Sequence, residues 1–108
     1  MNLILAIVSN DDARLVTDET VRAGFRATKL ASSGGFLHAG NTTLILGVRD
    51  CEVDAALNII EKYSKKRTQM VSPCSGNFNE GVFTVLPVEI TVGGATCFVL
   101  PVDEFRQL

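Results

Sequence analysis

Leu3-Ile4-Leu5-Ala6-Ile7-Val8 forms an unbroken apolar run, and the polar sequence Asn10-Asp11-Asp12 follows it directly. A short apolar run of this kind is typical of a central β-strand that is buried on both faces. The polar residues offer N-cap groups and negative charge for a first helical turn, so they predict a helix after the strand. A weakly apolar stripe with helical spacing runs from Ala13 to Gly24. Glycine fits the left-handed conformation after a last helical turn, which predicts the end of this helix.

The remaining sequence predicts a second helix and several further strands. Strands are expected at residues 25–31, 41–48, 82–92 and 95–100, with a shorter one at 69–72. Asp50 is expected to cap the second helix, whose apolar positions from Val53 to Ile60 keep helical spacing. The cations that follow match the helix dipole and are interpreted as a solvated helix end; they are Lys62, Lys65, Lys66 and Arg67.

Glycine-rich and polar segments separate these elements. Loops are predicted at residues 32–40 and 73–81, and Gly93-Gly94 predicts a tight hairpin turn between the last two strands. The order β-α-β-β-α-β with an additional hairpin is typical of an α+β, ferredoxin-like sandwich. Helices cover one face of such a sheet, so the other face is expected to be covered by neighbouring copies in a homo-oligomer.

Composition and charge exclude several classes of protein. A length of 108 residues predicts one domain, residues 1–108. A net charge of −2 and an isoelectric point near 5.3 disfavour binding to nucleic acid polymers. No apolar run approaches the ~18 residues of a membrane span, and the first residues lack the basic segment of a signal peptide. Three cysteines, an odd number without a Cys-x-x-Cys pair, favour a reducing cytoplasm over a disulfide framework.

Residues suited to metal binding or catalysis are sparse. His38 is the only histidine, and the cysteines Cys51, Cys74 and Cys97 are widely spaced, so they are predicted to be small core hydrophobes. Capping and solvation explain the carboxylates near the first helix, and no acid–base pair can be identified. We therefore expect no metal, no cofactor and no enzymatic activity.

The segment at residues 25–47 has the ingredients of a nucleotide site. Gly34 and Gly35 allow a close backbone approach to a ligand, and Phe36 follows them as a platform on which a base could stack. Arg26 has a forked donor suited to phosphate, and the amide of Asn41 matches an adenine edge. Each of these residues also has an ordinary role, as a turn, a loop anchor or a solvated side chain.

Three parts of the chain together resemble the PII-like cyclic di-AMP receptors. They are Arg26-Ala-Thr-Lys-Leu-Ala31 with Gly34-Gly-Phe-Leu37 and Ala39-Gly-Asn-Thr-Thr43, the apolar opening at 3–8, and the ending Val88-Glu-Ile-Thr-Val-Gly-Gly-Ala-Thr-Cys-Phe-Val-Leu-Pro-Val-Asp-Glu-Phe-Arg-Gln-Leu108. The resemblance covers essentially the whole chain. It implies a ferredoxin-like subunit in a homotrimer, without catalysis, that binds cyclic di-AMP in clefts between subunits and signals to a downstream protein.

The resemblance also implies roles for particular residues. Arg26 and Thr28 would face the phosphate and ribose, and Asn41 with the backbone of Gly47 would contact an adenine edge. A loop would close on the ligand and pack an aromatic ring on a base; it consists of Gly35, Phe36 and Leu37. Phe98 and Gln107 would complete the cleft.

The chain departs from the family pattern at a few positions. Ser32-Ser33 stands where family members commonly have two threonines, and His38 stands where they commonly have arginine. Loss of a fixed charge at His38 would weaken attraction to an anion and add pH dependence. Two alternatives remain: a PII-like sensor of another adenine nucleotide such as ATP, and a small ferredoxin-like enzyme.

Overall fold

The computed structural model of the chain describes residues 1–30, 40–71 and 88–108. Its α-helices are α1 (Asn10–Arg22) and α2 (Val53–Tyr63), and a single 3-10 turn, Asp50–Glu52, precedes α2. The strands are β1 (Asn2–Ser9), β2 (Ala27–Leu30), β3 (Asn41–Val48), β4 (Arg67–Val71), β5 (Val88–Val92) and β6 (Ala95–Pro101). The helices and strands lie close to their predicted ranges where the structure describes them, and residues 82–87 of the strand predicted at 82–92 lie outside the described residues. No helix among the described residues has the length and apolarity that a bilayer crossing requires.

Four strands form the main antiparallel sheet in the order β2-β3-β1-β6. The apolar run at residues 3–8 lies in β1, which is a central strand as predicted. β4 and β5 form a separate two-stranded antiparallel sheet. The chain is thus a small mixed α/β fold with an antiparallel sheet and two helices.

Alternation along β1 separates the two faces of the main sheet. Ile4, Ala6 and Val8 are buried in one core with side chains from both helices, Val16 of α1 and Ile60 of α2 among them. Both helices therefore pack on the same face, as the sequence predicts.

The opposite face is the open face of the sheet. In β1 it carries Leu3, Leu5 and Ile7, which keep partial exposure, so the single chain does not bury this strand on both faces. The strand register adds Thr28, Ile45, Phe98 and Leu100 to this face. The partly exposed apolar side chains gathered on this face favour its coverage by another molecule.

Local interactions fix the ends of the helices. The side chain of Ser9, rather than of the three polar residues after it, caps α1 by accepting a hydrogen bond from the Asp11 backbone at 3.2 Å. Gly24 follows the helix with φ +98°, which confirms the predicted end of α1. Asp50 does not cap α2: it starts the 3-10 turn, and its carboxylate accepts a hydrogen bond from Asn2 at 2.6 Å.

The predicted hairpin at Gly93-Gly94 is wrong. Both glycines have positive φ, +87° and +84°, but they connect β5 of the small sheet to β6 of the main sheet. A Cβ at Gly93 would lie 2.5 Å from the carbonyl oxygen of Lys65, so close backbone packing requires glycine there. The turn residues indicate a reversal of the chain but not the strand with which each side pairs.

Candidate ligand-binding site

One cavity lies at the end of the open face where β3 finishes. The register pairs Ala27 with Leu46, which sets Arg26 beside Gly47. The cavity has a volume of about 380 Å³ and is lined by Met1, Leu3, Arg26, Thr28, Ile45, Gly47, Val102 and Phe105. It is named the Arg26 cavity below. Three residues that the sequence singled out, Arg26, Thr28 and Gly47, therefore meet in one place.

The chemistry of the Arg26 cavity suits a flat ring that carries an anion. Its walls are mainly apolar, and Phe105 offers an aromatic side chain that is 63% exposed. Arg26 and Thr28 are exposed, and among the described residues the guanidinium forms no ion pair. A forked cation beside an apolar pocket can hold a phosphate while a base packs on the aromatic ring.

A second cavity lies at the opposite end of β3. It has a volume of about 430 Å³ and is lined by Ile7, Ser9, Asn41, Lys66, Thr91, Val92, Gly93, Gly94, Ala95 and Thr96. It is named the Asn41 cavity below. Its lining contains hydroxyl, amide and ammonium groups from both sheets, so it can take a polar ligand. Asn41 and Gly47 are six residues apart along β3, so their backbones are separated by about 20 Å.

The other predicted site residues are distributed differently. Phe98 pairs with Leu5 across the open face, where it is 52% exposed, outside both cavities. Gln107 is exposed in the tail after β6. The remaining candidates lie outside the described residues: Gly35, Phe36 and Leu37, with Ser32, Ser33, His38 and the segment 73–81.

Two lining residues were not anticipated from the sequence as ligand contacts. No sequence pattern assigns a role to Phe105, although an aromatic residue within the polar sequence Asp103-Glu-Phe-Arg-Gln107 is a possible signal of a ligand contact. The sequence predicts Lys66 at a solvated helix end, and no local pattern distinguishes it from Lys65. Only the path of β5 and β6 around it creates the Asn41 cavity.

Lys29 lies on the other side of the sheet from Arg26. It pairs with Leu44, a core residue, and lines a depression between α1 and the sheet with Arg14, Asp18 and Thr42. The open face therefore does not receive the second cation that the sequence places near Arg26. This limits the negative charge that the Arg26 cavity can balance.

The cysteines are not all core residues. Cys97 packs against the core as predicted, and burial raises the pKa of its thiol. Cys51 lies exposed in the 3-10 turn, so its prediction is wrong, because that turn is on the protein surface. Cys74 lies outside the described residues. Within the described ranges, no group of three His, Cys, Asp or Glu side chains is arranged to hold a metal.

Comparison with known proteins identifies relatives of the whole chain. The family model described as "Cyclic-di-AMP receptor" matches residues 1–108. The fold is also similar to the crystal structure of a functionally unknown protein from Pediococcus pentosaceus. That protein is 38% identical, with a TM-score of 0.75, over 99% of this chain and 96% of that chain.

Proposed function

Because this chain belongs to the cyclic-di-AMP receptor family, we propose that it is a non-enzymatic receptor that binds cyclic di-AMP between the subunits of a homotrimer. The observation that carries this proposal is the arrangement of the two cavities at opposite ends of β3. Arg26, Thr28 and Gly47 line one of them, and Asn41 lines the other. Ligand binding is proposed to change a loop conformation and thereby the contact with a downstream protein in the cytoplasm.

The separation of the two cavities supports a site between subunits. Asn41 lies about 20 Å from Gly47 along the strand, so one chain does not gather all the proposed contacts around one dinucleotide. A closed ring of identical chains repeats both cavities, and it can set the Arg26 cavity of one chain against the Asn41 cavity of the next. The exposed apolar residues of the open face, such as Phe98 and Leu100, give such an assembly its driving force.

The strand order supports the ferredoxin-like assignment. In the main sheet, the fourth strand of the βαββαβ unit is β6, and the β4–β5 pair is inserted between α2 and β6. Helices occupy one face and leave the other to neighbouring subunits. A homotrimer built on the open face is therefore part of the proposal.

Each proposed contact has a chemical role. The Arg26 guanidinium would bind a phosphodiester, and Thr28 would donate to a phosphate or ribose oxygen. The Asn41 amide would accept from the adenine amino group and donate to a ring nitrogen, assisted by the backbone of Gly47 from the neighbouring subunit. Gly35, Phe36 and Leu37 would close on the ligand, while Phe98 and Gln107 would complete the cleft from the last strand and the tail.

Closure of that loop is the proposed signal. A ligand shifts a conformational equilibrium only by its differential affinity for the two states. Stacking of Phe36 on a base would occur in the closed state alone, which provides this difference. The downstream protein would then distinguish the closed loop from the open one.

ATP is the alternative ligand, and the charges argue against it. A linear triphosphate carries more negative charge than one phosphodiester and is commonly bound by several cations or with Mg²⁺. Arg26 has the single cationic side chain among the described residues that line the Arg26 cavity, since Lys29 lies on the other face. A small ferredoxin-like enzyme is disfavoured because no acid–base pair lies in either cavity as described.

Calorimetric titration with cyclic di-AMP, cyclic di-GMP and ATP tests the proposal. Guanine presents a carbonyl where adenine presents an amino group, and an unpaired buried polar edge costs about 1–3 kcal/mol. Cyclic di-AMP should therefore bind at least about tenfold more tightly than cyclic di-GMP. Equal affinities would remove the adenine-specific role of Asn41, and preferential ATP binding would favour the alternative. Product analysis after incubation would reveal turnover, and light scattering would measure the assembly.

A further inference from the structure

A lysine lines the Asn41 cavity. Lys66 lies in the short connection between α2 and β4, and it is the one charged side chain among the described residues that line this cavity. The ion pairs formed by the described residues do not include it. A cation that faces a cavity containing an amide and several hydroxyl groups suits an anionic ligand.

Gly94 determines how Lys66 packs. A Cβ at Gly94 would lie 3.0 Å from Cγ of Lys66 and 3.3 Å from its Cε, so the absence of a side chain leaves room for the lysine stem. Gly94 is itself fixed by φ +84° and by a hydrogen bond from its backbone N–H to the carbonyl oxygen of Ser64. The aliphatic stem therefore packs along the backbone of this bend at the wall of the cavity.

The three consecutive cations at residues 65–67 have different surroundings. Arg67 forms an ion pair with Asp12. Lys65 lines a separate groove of about 550 Å³ between α2 and β6, and Lys66 borders that groove as well as the Asn41 cavity. Of the three, only Lys66 lines the Asn41 cavity, which makes Lys65 a matched control with the same charge and stem.

We infer that Lys66 binds a phosphodiester of the dinucleotide whose adenine contacts Asn41. The inference rests on the proposed function, and it adds a phosphate-binding residue to the same site. Cyclic di-AMP has two phosphodiesters with one negative charge each, and each cavity then supplies one cation, Arg26 or Lys66. The ammonium group acts as a point charge that donates up to three hydrogen bonds to phosphate oxygens.

Lys66→Met and Lys65→Met test the inference, because methionine keeps most of the stem and removes the charge. Titration with cyclic di-AMP is expected to show about tenfold or more weaker binding for Lys66→Met, the loss typical of a charge-assisted hydrogen bond. The affinity of this variant should also depend less on salt. Lys65→Met should bind like the parent protein, and Lys66→Arg should restore most of the affinity.

The outcomes separate this inference from the proposed function. If the parent binds cyclic di-AMP and both methionine variants bind equally well, Lys66 makes no phosphate contact and the inference is wrong while the receptor function stands. If Lys66→Met and Lys66→Arg are equally weak with unchanged melting temperatures, charge is not the cause and the inference is also wrong. If the parent itself fails to bind, the proposed function fails first.

Discussion

Arg67 forms a two-point ion pair with Asp12, with Nη2 at 2.9 Å from Oδ1 and Nη1 at 3.4 Å from Oδ2. Asp12 belongs to the first turn of α1 and is 7% exposed, whereas Arg67 begins β4. The side-chain hydrogen bond to Asp12 raises the pKa of Arg67, so the guanidinium keeps its positive charge at all ordinary pH values. This contact ties the small sheet to the helical layer of the main sheet.

Arg67→Met should therefore lower the melting temperature, because it leaves the carboxylate of Asp12 buried without its cation. Arg14→Met is the matched control: its partner Asp18 is 4.0 Å away and both side chains are exposed, so its melting temperature should stay close to that of the parent. Thermal unfolding of both variants checks this. Combining Arg67→Met with Asp12→Asn should destabilise by less than the sum of the single changes, and simple additivity would show that the pair contributes no coupling.

Glu52 gives the fold a pH-dependent contact. Its carboxylate accepts a hydrogen bond from the Arg49 side chain at 3.2 Å and from the Arg49 backbone at 2.9 Å. These bonds lower the pKa of Glu52 below the ordinary glutamate value of 4.5. Because the pKa of Glu52 is lower in the folded than in the unfolded protein, the contact stabilises the fold fully at a pH above the unfolded pKa. This stabilisation is lost as the pH falls through the folded pKa.

Glu52→Gln should therefore melt below the parent at neutral pH, and the difference should shrink as the pH falls below 4.5. Melting temperatures measured across this range provide the test. Glu89→Gln is the control, since Glu89 is exposed and forms none of the ion pairs among the described residues. A constant gap between parent and Glu52→Gln at every pH would contradict the assigned cause.

The sequence was sufficient to predict the elements because each one carries its own signal. Apolar spacing predicted the two helices, and Gly24 predicted where α1 ends. Strand pairing is different, since it depends on contacts between distant residues. The double glycine at 93–94 correctly indicated a turn, yet the strands on its two sides join different sheets, and contacts such as Arg67 with Asp12 hold the small sheet in position.

The candidate site was predictable only in part for the same reason. Arg26, Thr28 and Gly47 share a cavity because β2 and β3 are neighbours in both sequence and space. Phe105 comes from the tail, and Lys66 lines the same cavity as Asn41, where Gly94 leaves room for the lysine stem. Neither arrangement has a local sequence pattern.

The two described cysteines should differ in reactivity. Burial raises the pKa of Cys97, which reduces its thiolate fraction, while Cys51 is exposed in the 3-10 turn. In the folded Cys74→Ser variant, iodoacetamide should label Cys51 before Cys97, as peptide mass spectrometry can follow over time. The difference should largely disappear in denaturant. Equal rates in the folded protein would show that β6 exposes the Cys97 thiol.

The most direct prediction concerns where the binding site is assembled. Arg26→Ala and Asn41→Ala should each weaken cyclic di-AMP binding by about fivefold to a hundredfold, the cost of about 1–3 kcal/mol for a lost polar contact. Neither side chain belongs to the buried core, so both variants should fold and assemble like the parent. Titration calorimetry gives the affinities, and light scattering gives the assembly.

Co-expression of these two variants then distinguishes a site between subunits from a site within one chain. If a site combines the Arg26 cavity of one subunit with the Asn41 cavity of the next, random mixing leaves about one quarter of the interfaces with both residues intact, because each half is intact in about half of the subunits. About a quarter of the sites should then bind with parental affinity, while separately purified variants mixed without subunit exchange should show none. Were every site within one chain, no mixture could restore a complete site, and co-expressed assemblies would bind as weakly as the single variants.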